Sequence, residues 1–271
     1  MGSISDRFVS CHSIYLHPGI YSQCLLYLLY DCRCDNDSHD IIIVCMERKM
    51  IGTLFLSGGG NEKQTYEIDE IFLQGVNSIL YIPWAWPNDD FASCEKWIKK
   101  CMQQHKKVDI TTATTIEMPK DIESYDAIYI GGGNTFKLLK RLRETKLDKK
   151  LVELYKKGKT IYGGSAGTLI WGYDIQTAKL CKDKDKNIVK IRDTSGFNQL
   201  AGFNLQAHYE SDQLTEHQHY VKKTNRSIIA IPEESALMVS ENTYKVIGLR
   251  PITVITKNNY TGYSPNSFIV L

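Results

Sequence analysis

The stretch KTIYGGSAGTLIWG, residues 159–172, constrains this chain more than any other. A short β-branched and aromatic run, Thr160 to Tyr162, leads into the glycines, and an apolar run able to coil, Thr168 to Trp171, follows them. The order is strand, tight turn, helix. Gly163 and Gly167 flank Ser165 in the pattern G-x-S-x-G, which suits a nucleophile elbow. There the serine takes a strained backbone, its hydroxyl projects above a sheet edge, and glycines leave room for the turn. The same turn aims the backbone N–H of Ala166 and the start of a helix dipole at negative charge developing beside Ser165. Such a pattern recurs by chance in glycine- and serine-containing chains, and the strand before and helix after are what give it meaning here.

The rest of the chain alternates in the same way. From Met50, MIGTLFLSGGG reads as an apolar strand running into Gly58 to Gly60. Helical spacing follows over 64–74, a buried-type strand over 78–83, a loop with Trp84 and Trp86 over 84–90, a helix over 91–107 and a strand over 108–116. A second strand-to-glycine junction is YDAIYIGGG, ending at Gly131 to Gly133. An amphipathic helix over 134–147 and another over 148–157, stopped by Gly158, precede the elbow. This alternation predicts an α/β fold, a doubly wound, mainly parallel sheet with helices on both faces, its site at the carboxyl ends of the strands. Two tryptophans near a proline pack loops more often than they contact substrate. Beyond Trp171 the signals turn to β: Tyr173 to Ala178, Ile188 to Ile191, the stretch 202–212 and, after a polar helix over 213–224, the strand 227–232. The C-terminal part, 236–271, is β-rich throughout, with turns at Asn242, Pro251 and 258–262.

Residues 50–271 thus read as a single α/β domain. Residues 1–49 are cysteine-rich and aperiodic, with a polar break from Asp31 to Asp40, and read as an N-terminal extension, poorly ordered or preceding a true start at Met46 or Met50. The competing reading makes Ile41 to Met46 an extra edge strand.

Composition removes several classes. With 33 basic and 31 acidic residues among 271, the formal net charge of +2 gives no electrostatic case for nucleic acid. The lysines between Lys179 and Lys190 alternate with aspartates and read as a solvated loop. No apolar run reaches the roughly 18 to 20 residues that span a bilayer, and no secretory signal pattern surrounds Cys24 to Tyr30. The cysteines lack zinc-ligand spacing, and reduced thiols in a cytoplasmic protein are the economical reading.

A serine hydroxyl needs a base within hydrogen-bond reach and a third group to orient that base. Of seven histidines, His12, His17 and His39 fall in the extension, His105 in a lysine-rich helix end, and His217 and His219 on the polar helix, where solvation is expected. His208 ends the apolar stretch 203–207 and takes a strand-end position, which makes it the candidate base. Glu233 follows the strand 228–231 and is the candidate acid, with its neighbour Glu234 as the alternative. The order Ser, His, Glu departs from that of lipases and esterases.

Together, GGGNTFKLL at 131–139, GGSAG at 163–167, QAHY around His208 and IPEES at 231–235 resemble the dipeptidase E and cyanophycinase family of serine peptidases, whose fold is similar to class I glutamine amidotransferases. The resemblance runs from Met50 to the C-terminus. It implies Ser165 as nucleophile, His208 as general base, Glu233 as the carboxylate holding the imidazole, and the N–H groups of Gly133 and Ala166 as oxyanion hole, with no metal or organic cofactor. It also implies an acidic recognition residue after the nucleophile helix. There the chain reads YDIQTAKLCKDKD, in which Asp174 and Asp183 are nearby and neither stands out, so an Asp-X preference is not legible.

The function this predicts is hydrolysis of short peptides by a serine peptidase through an acyl-enzyme, with no nucleic-acid or membrane partner. Two alternatives stay open: another amide hydrolase or acyl transferase on the same scaffold, and a binding module without turnover. Oligomeric state is not legible in the sequence.

Overall fold

The computed structural model describes residues 25–33, 39–47, 51–181, 184–241 and 243–271. His12, His17, Cys11, Cys24, Cys34, Asp183 and the turn at Asn242 lie outside the described residues. The chain divides into two units, Met1–Met50 and Ile51–Leu271. In the first, β1 (Leu25–Arg33) pairs antiparallel with β2 (His39–Glu47), Leu25 opposite Glu47. The strand that the competing reading placed at Ile41 to Met46 is present within β2, in a two-stranded sheet with β1.

The second unit holds an eight-stranded sheet. Its parallel half comprises β3 (Leu54–Ser57), β4 (Ser78–Ile82), β5 (Asp109–Thr112), β6 (Ala127–Ile130) and β7 (Thr160–Gly164), in the spatial order β3, β7, β6, β4, β5. The apolar runs of β3, β4 and β6 suit strands covered on both faces, and the period of two divides them cleanly. Leu54, Leu56, Leu80, Ile82, Ile128, Ile130 and Ile161 face one layer, while Phe55, Ile79, Tyr81, Tyr129 and Tyr162 face the other. On the second face lie α1 (Tyr66–Phe72) and α2 (Phe91–Gln103); on the first lie α3 (Thr135–Glu144), α4 (Leu147–Lys156) and α5 (Ala166–Leu169). The α/β, doubly wound architecture predicted from the alternation is the one observed.

Local chemistry sets the helix ends. Asp90 accepts the Ser93 N–H at the start of α2, and Asn134 accepts the Lys137 N–H at the start of α3. Arg141 and Arg143 in the last turn of α3 suit its negative end. Gly158, at a φ of 97°, ends the turn after α4 where a side chain would be strained.

Past α5 the expectation and the structure part. Tyr173 to Ala178 carries only a single bridge, Asp174 to Ser195, and a short 3-10 turn over Gln176–Lys179, and Ile188 to Ile191 forms no strand. Alternating apolar residues there pack as irregular chain against the α3 side of the core. Then β8 (Asn204–Gln206), α6 (Leu214–Thr224) and β9 (Ile228–Ala230) follow. Strands β10 (Ser235–Ser240), β11 (Thr243–Gly248) and β14 (Phe268–Ile269) extend the main sheet antiparallel beside β3. Strands β12 (Ile252–Ile255) and β13 (Tyr260–Tyr263) join β9 and β8 in a separate four-stranded sheet. The strands expected to bring histidine and glutamate to the main sheet therefore belong to this second sheet.

One buried carboxyl stands out on the α1 face. Asp69 is fully buried, accepts the Thr65 hydroxyl at 2.7 Å, and burial lifts its pKa from 3.8 to about 7. Folded-state affinity for the proton then exceeds that of the unfolded chain, so stability falls as pH rises between about 4 and 7, by up to about 4 kcal/mol. Asp69→Asn removes the titration. Urea midpoints should coincide with wild type near pH 4 and exceed it near pH 8; parallel curves for the two proteins would refute the assignment.

Candidate active site

Strands β3, β6 and β7 run parallel, so their carboxyl ends bring three glycine turns to one edge: Gly58 to Gly60, Gly131 to Gly133 and the elbow. Ser165 stands between β7 and α5 with a φ of 52° and a ψ of −109°, a region a non-glycine residue seldom adopts and that costs on the order of 1–3 kcal/mol. Its surroundings hold it there. The Ser165 N–H donates to Ser57 O at 3.2 Å, and the buried Thr168 hydroxyl lies 2.6 Å from Gly163 O and 2.7 Å from Ser57 O. A Cβ at Gly163 would fall 2.3 Å from Gly167 O, and one at Gly167 would fall 2.3 Å from Ile130 O. Both glycines of the motif are thus required by backbone packed against backbone.

The candidate base and acid, His208 and Glu233, arrive from the second sheet. Strands β8 and β9 are parallel neighbours with Gln206 opposite Ala230, so His208 and Glu233 follow their ends at the same height. Ser165 Oγ lies 2.7 Å from His208 Nε2, and His208 Nδ1 lies 2.7 Å from Glu233 Oε1. A proton on Nδ1, donated to the carboxylate, leaves Nε2 as the acceptor for the serine hydroxyl. Glu233 makes this contact; Glu234 sits at a φ of 68° and its carbonyl accepts the Leu249 N–H.

A fourth side chain completes the relay. Gln64 donates from Nε2 to Glu233 Oε2 at 2.8 Å, and its own Oε1 accepts the Asn61 N–H at 2.9 Å. Sequence reasoning missed Gln64; its place just after the first glycine turn was the available signal.

Gly133 lines both cavities that open on Ser165, and Ala166 begins α5 directly behind the serine. Neither N–H is taken up by a partner among the described residues. The pair is free to meet an oxygen that gains charge.

The larger cavity, about 610 Å³, is lined by Asn134, Thr135, Leu169, Asp185 and Glu210 along with Ser165, His208 and Glu233. Asp185 corrects the reading of 179–190 as a solvated loop. It is half-buried, its Oδ2 accepts both the Thr135 N–H and hydroxyl at the start of α3, at 2.8 and 2.7 Å, and burial raises its pKa. Of the two aspartates weighed in the sequence for recognition, Asp174 is bonded to Thr194 and Gln176, and Asp183 lies outside the described residues. Glu210 is held by Arg250 through two bonds of 2.8 and 2.7 Å. The second cavity, about 410 Å³, runs past Gly59, Gly60 and Gln64 to Trp86, Trp97 and Tyr129. No lysine or arginine lines either cavity among the described residues.

His217 is a second correction: it is fully buried, with Nδ1 2.7 Å from Gln213 O and its ring edge-on to Tyr209, because it faces the small core beneath α6. His219 is exposed and His105 packs on Tyr66. Among the described residues no histidine, cysteine or carboxylate cluster could hold a metal ion, and no helix is long and apolar enough to cross a membrane.

With this geometry in hand, comparison with known proteins gives a consistent result. Residues 53–247 match Peptidase family S51. Peptidase E of Haemophilus influenzae is 27% identical over 198 residues, covering 68% of this chain and 81% of that protein. Peptidase E of a Nostoc species is 24% identical over 216 residues, 73% and 86% of the two chains. Among solved structures, a peptidase from an acI-B1 actinobacterium superposes with a TM-score of 0.64 at 19% identity, covering 82% of this chain and 98% of its own. A putative Peptidase E of Listeria monocytogenes gives 0.57 at 22% identity, covering 73% and 99%; at such identities the two structures speak to fold alone. The family match spans well over half the chain, and the chain belongs to peptidase family S51, a family of serine peptidases.

Proposed function

We propose that the chain is an exopeptidase of the Peptidase E type that cleaves short peptides at a free amino terminus, using Ser165, His208 and Glu233 as its catalytic triad. The observation that carries this is the pair of 2.7 Å contacts linking hydroxyl, imidazole and carboxylate. His208 Nε2 takes the hydroxyl proton as Ser165 attacks the scissile carbonyl, and then delivers it to the departing amine. Glu233 balances the imidazolium that forms, and Gln64 keeps that carboxylate from turning away. The oxyanion meets the N–H groups of Gly133 and Ala166, each such donor contributing about 3 kcal/mol in comparable sites. Water activated by His208 then releases the acyl group.

Substrate size and charge follow from the two cavities. Volumes of about 610 and 410 Å³ suit a few residues, not a folded chain. Asp185 offers the acyl-side cavity a carboxylate whose two bonds fall on one oxygen, which suits the ammonium of a peptide amino terminus.

A fluorophosphonate probe should label wild type and leave Ser165→Ala unlabelled, with dipeptide hydrolysis falling by about 10⁵-fold or more in that variant. Labelling without turnover of any dipeptide would favour a different amide hydrolase or acyl transferase, and no labelling a binding module. Glu233→Gln should lower kcat by roughly 10³ to 10⁴-fold, as loss of the orienting carboxylate does in other triads, while Glu234→Gln stays close to wild type. For Asp185→Asn, KM for peptides with a free amino terminus should rise at least about tenfold, with the labelling rate retained. An unchanged KM would remove Asp185 from recognition.

A further inference from the structure

The two cavities at Ser165 differ in chemistry, and the second is unexplained by the triad. Trp84, Trp86 and Trp97 make the contrast. Trp84 is fully buried and donates its indole N–H to Ala113 O at 3.0 Å, as a core residue should. Trp86 and Trp97 are only half-buried and turn a face to the cavity that reaches Ser165. Their ring centroids lie 6.4 Å apart, Trp97 meets Tyr129 edge-on at 6.4 Å, and Tyr129 stacks on Tyr162 at 4.3 Å. The outer tryptophans therefore stand on a ladder of rings whose inner members are locked in the core. A wall fixed in this way loses little side-chain freedom when something binds.

We propose that this aromatic wall is the subsite for the leaving residue of the substrate, and that it selects large apolar side chains there, with Trp86 and Trp97 as the specificity-determining residues. The assignment rests on the peptidase reading. The cavities share Gly133, Ser165, His208 and Glu233, so a peptide crossing the nucleophile occupies both. Asp185 in the first cavity suits the ammonium end, and the acyl residue lies there; the residue beyond the scissile bond then enters the second. Its apolar side chain meets indole faces there, while Gly59, Gly60 and Asn61 form a side-chain-poor opposite rim. A charged side chain would lose water against the rings, and the carboxylate on that lining, Glu233, is already bonded to His208 and Gln64.

Two measurements on the full chain test this. The first compares kcat/KM for Ala-Phe, Ala-Ala and Phe-Ala in wild type, Trp86→Ala and Trp86→Phe, with melting temperatures to show that each variant is folded. Wild type should favour Ala-Phe over Ala-Ala by at least about tenfold. Trp86→Ala should cut that ratio several-fold, chiefly through KM, and Trp86→Phe should restore most of it. A ratio untouched by Trp86→Ala, or a change confined to Phe-Ala against Ala-Ala, would overturn the assignment. The second titrates Ser165→Ala with the same peptides, followed by tryptophan fluorescence. A saturable change should appear at lower concentration for Ala-Phe than for Ala-Ala, and the difference should vanish when Trp86→Ala is added. Equal affinities would overturn the subsite even if hydrolysis is efficient. Tight, Trp86-dependent binding of Ala-Phe without turnover in wild type would instead sink the peptidase reading and keep the apolar subsite.

Discussion

The site depends on a seam between two sheets, and the seam is made of glycine backbone. Gly58 donates its N–H to Ser235 O at 3.0 Å and accepts the His208 N–H at 3.0 Å. These bonds tie the end of β3 to the loops that carry the histidine and the glutamate. The approach is close: a Cβ on Gly58 would fall 2.0 Å from Pro232 O, and one on Gly59 would fall 2.5 Å from His208 Cε1. Any side chain at either position would push the imidazole and its carboxylate away from the serine, which is bound to the main sheet through Ser57. Positions within a fraction of an ångström are what triad chemistry requires, and the bare backbone supplies them.

Electrostatics at the same edge are divided rather than summed. Glu233 spends its charge on His208 and Gln64, and Glu210 spends its charge on Arg250, so neither offers a bare anion to a ligand. Asp185 instead faces the start of α3, where Thr135 bonds and the helix dipole favour the ionised form against a raised pKa caused by burial. The loop holding it is pinned by Asn134 Nδ2, which donates to Lys186 O at 2.9 Å. One residue thus caps α3 and fixes the loop that carries Asp185. Among the described residues the aromatic cavity is lined by no carboxylate but Glu233, which both cavities share.

Much of this was legible in the sequence, for reasons that can be named. Apolar strands that enter glycines, as at Phe55, Ile128 and Ile161, follow from burial on both faces, and burial is written directly in residue type. The elbow was legible because its pattern is local: Gly163 is forced by the carbonyl of Gly167 within the same turn, although Gly167 itself is forced by Ile130 O at the end of β6. Gln64 was not, because its partner Glu233 is 169 residues away and glutamine carries no chemistry of its own. Asp185 hid in a lysine-rich run whose composition signals solvent, and only the pairing with Thr135 overrides it. His217 misled for the opposite reason: the helix is polar on average, yet Val221 and His217 share its one buried face. The second sheet escaped because strand membership is a matter of pairing, and three-residue strands such as β8 and β9 carry no periodicity that names their partners.

Backbone strain gathers where the chemistry is proposed. Ser165 and His208 both stand at a φ of 52°, and Glu234, beside the acid, at 68°. Each such residue costs on the order of 1–3 kcal/mol, a large share of a typical domain's net stability. The compensation is local, through Thr168 under the elbow, Gly58 O on the His208 N–H, and Leu249 N–H on Glu234 O. Those bonds come from α5, the end of β3 and the turn after β11, so the three strained residues are held by separate parts of the chain. The side chains meet at 2.7 Å on both sides of the imidazole, held by this backbone. Binding energy from the two cavities positions the peptide, which is where selectivity between substrates must arise.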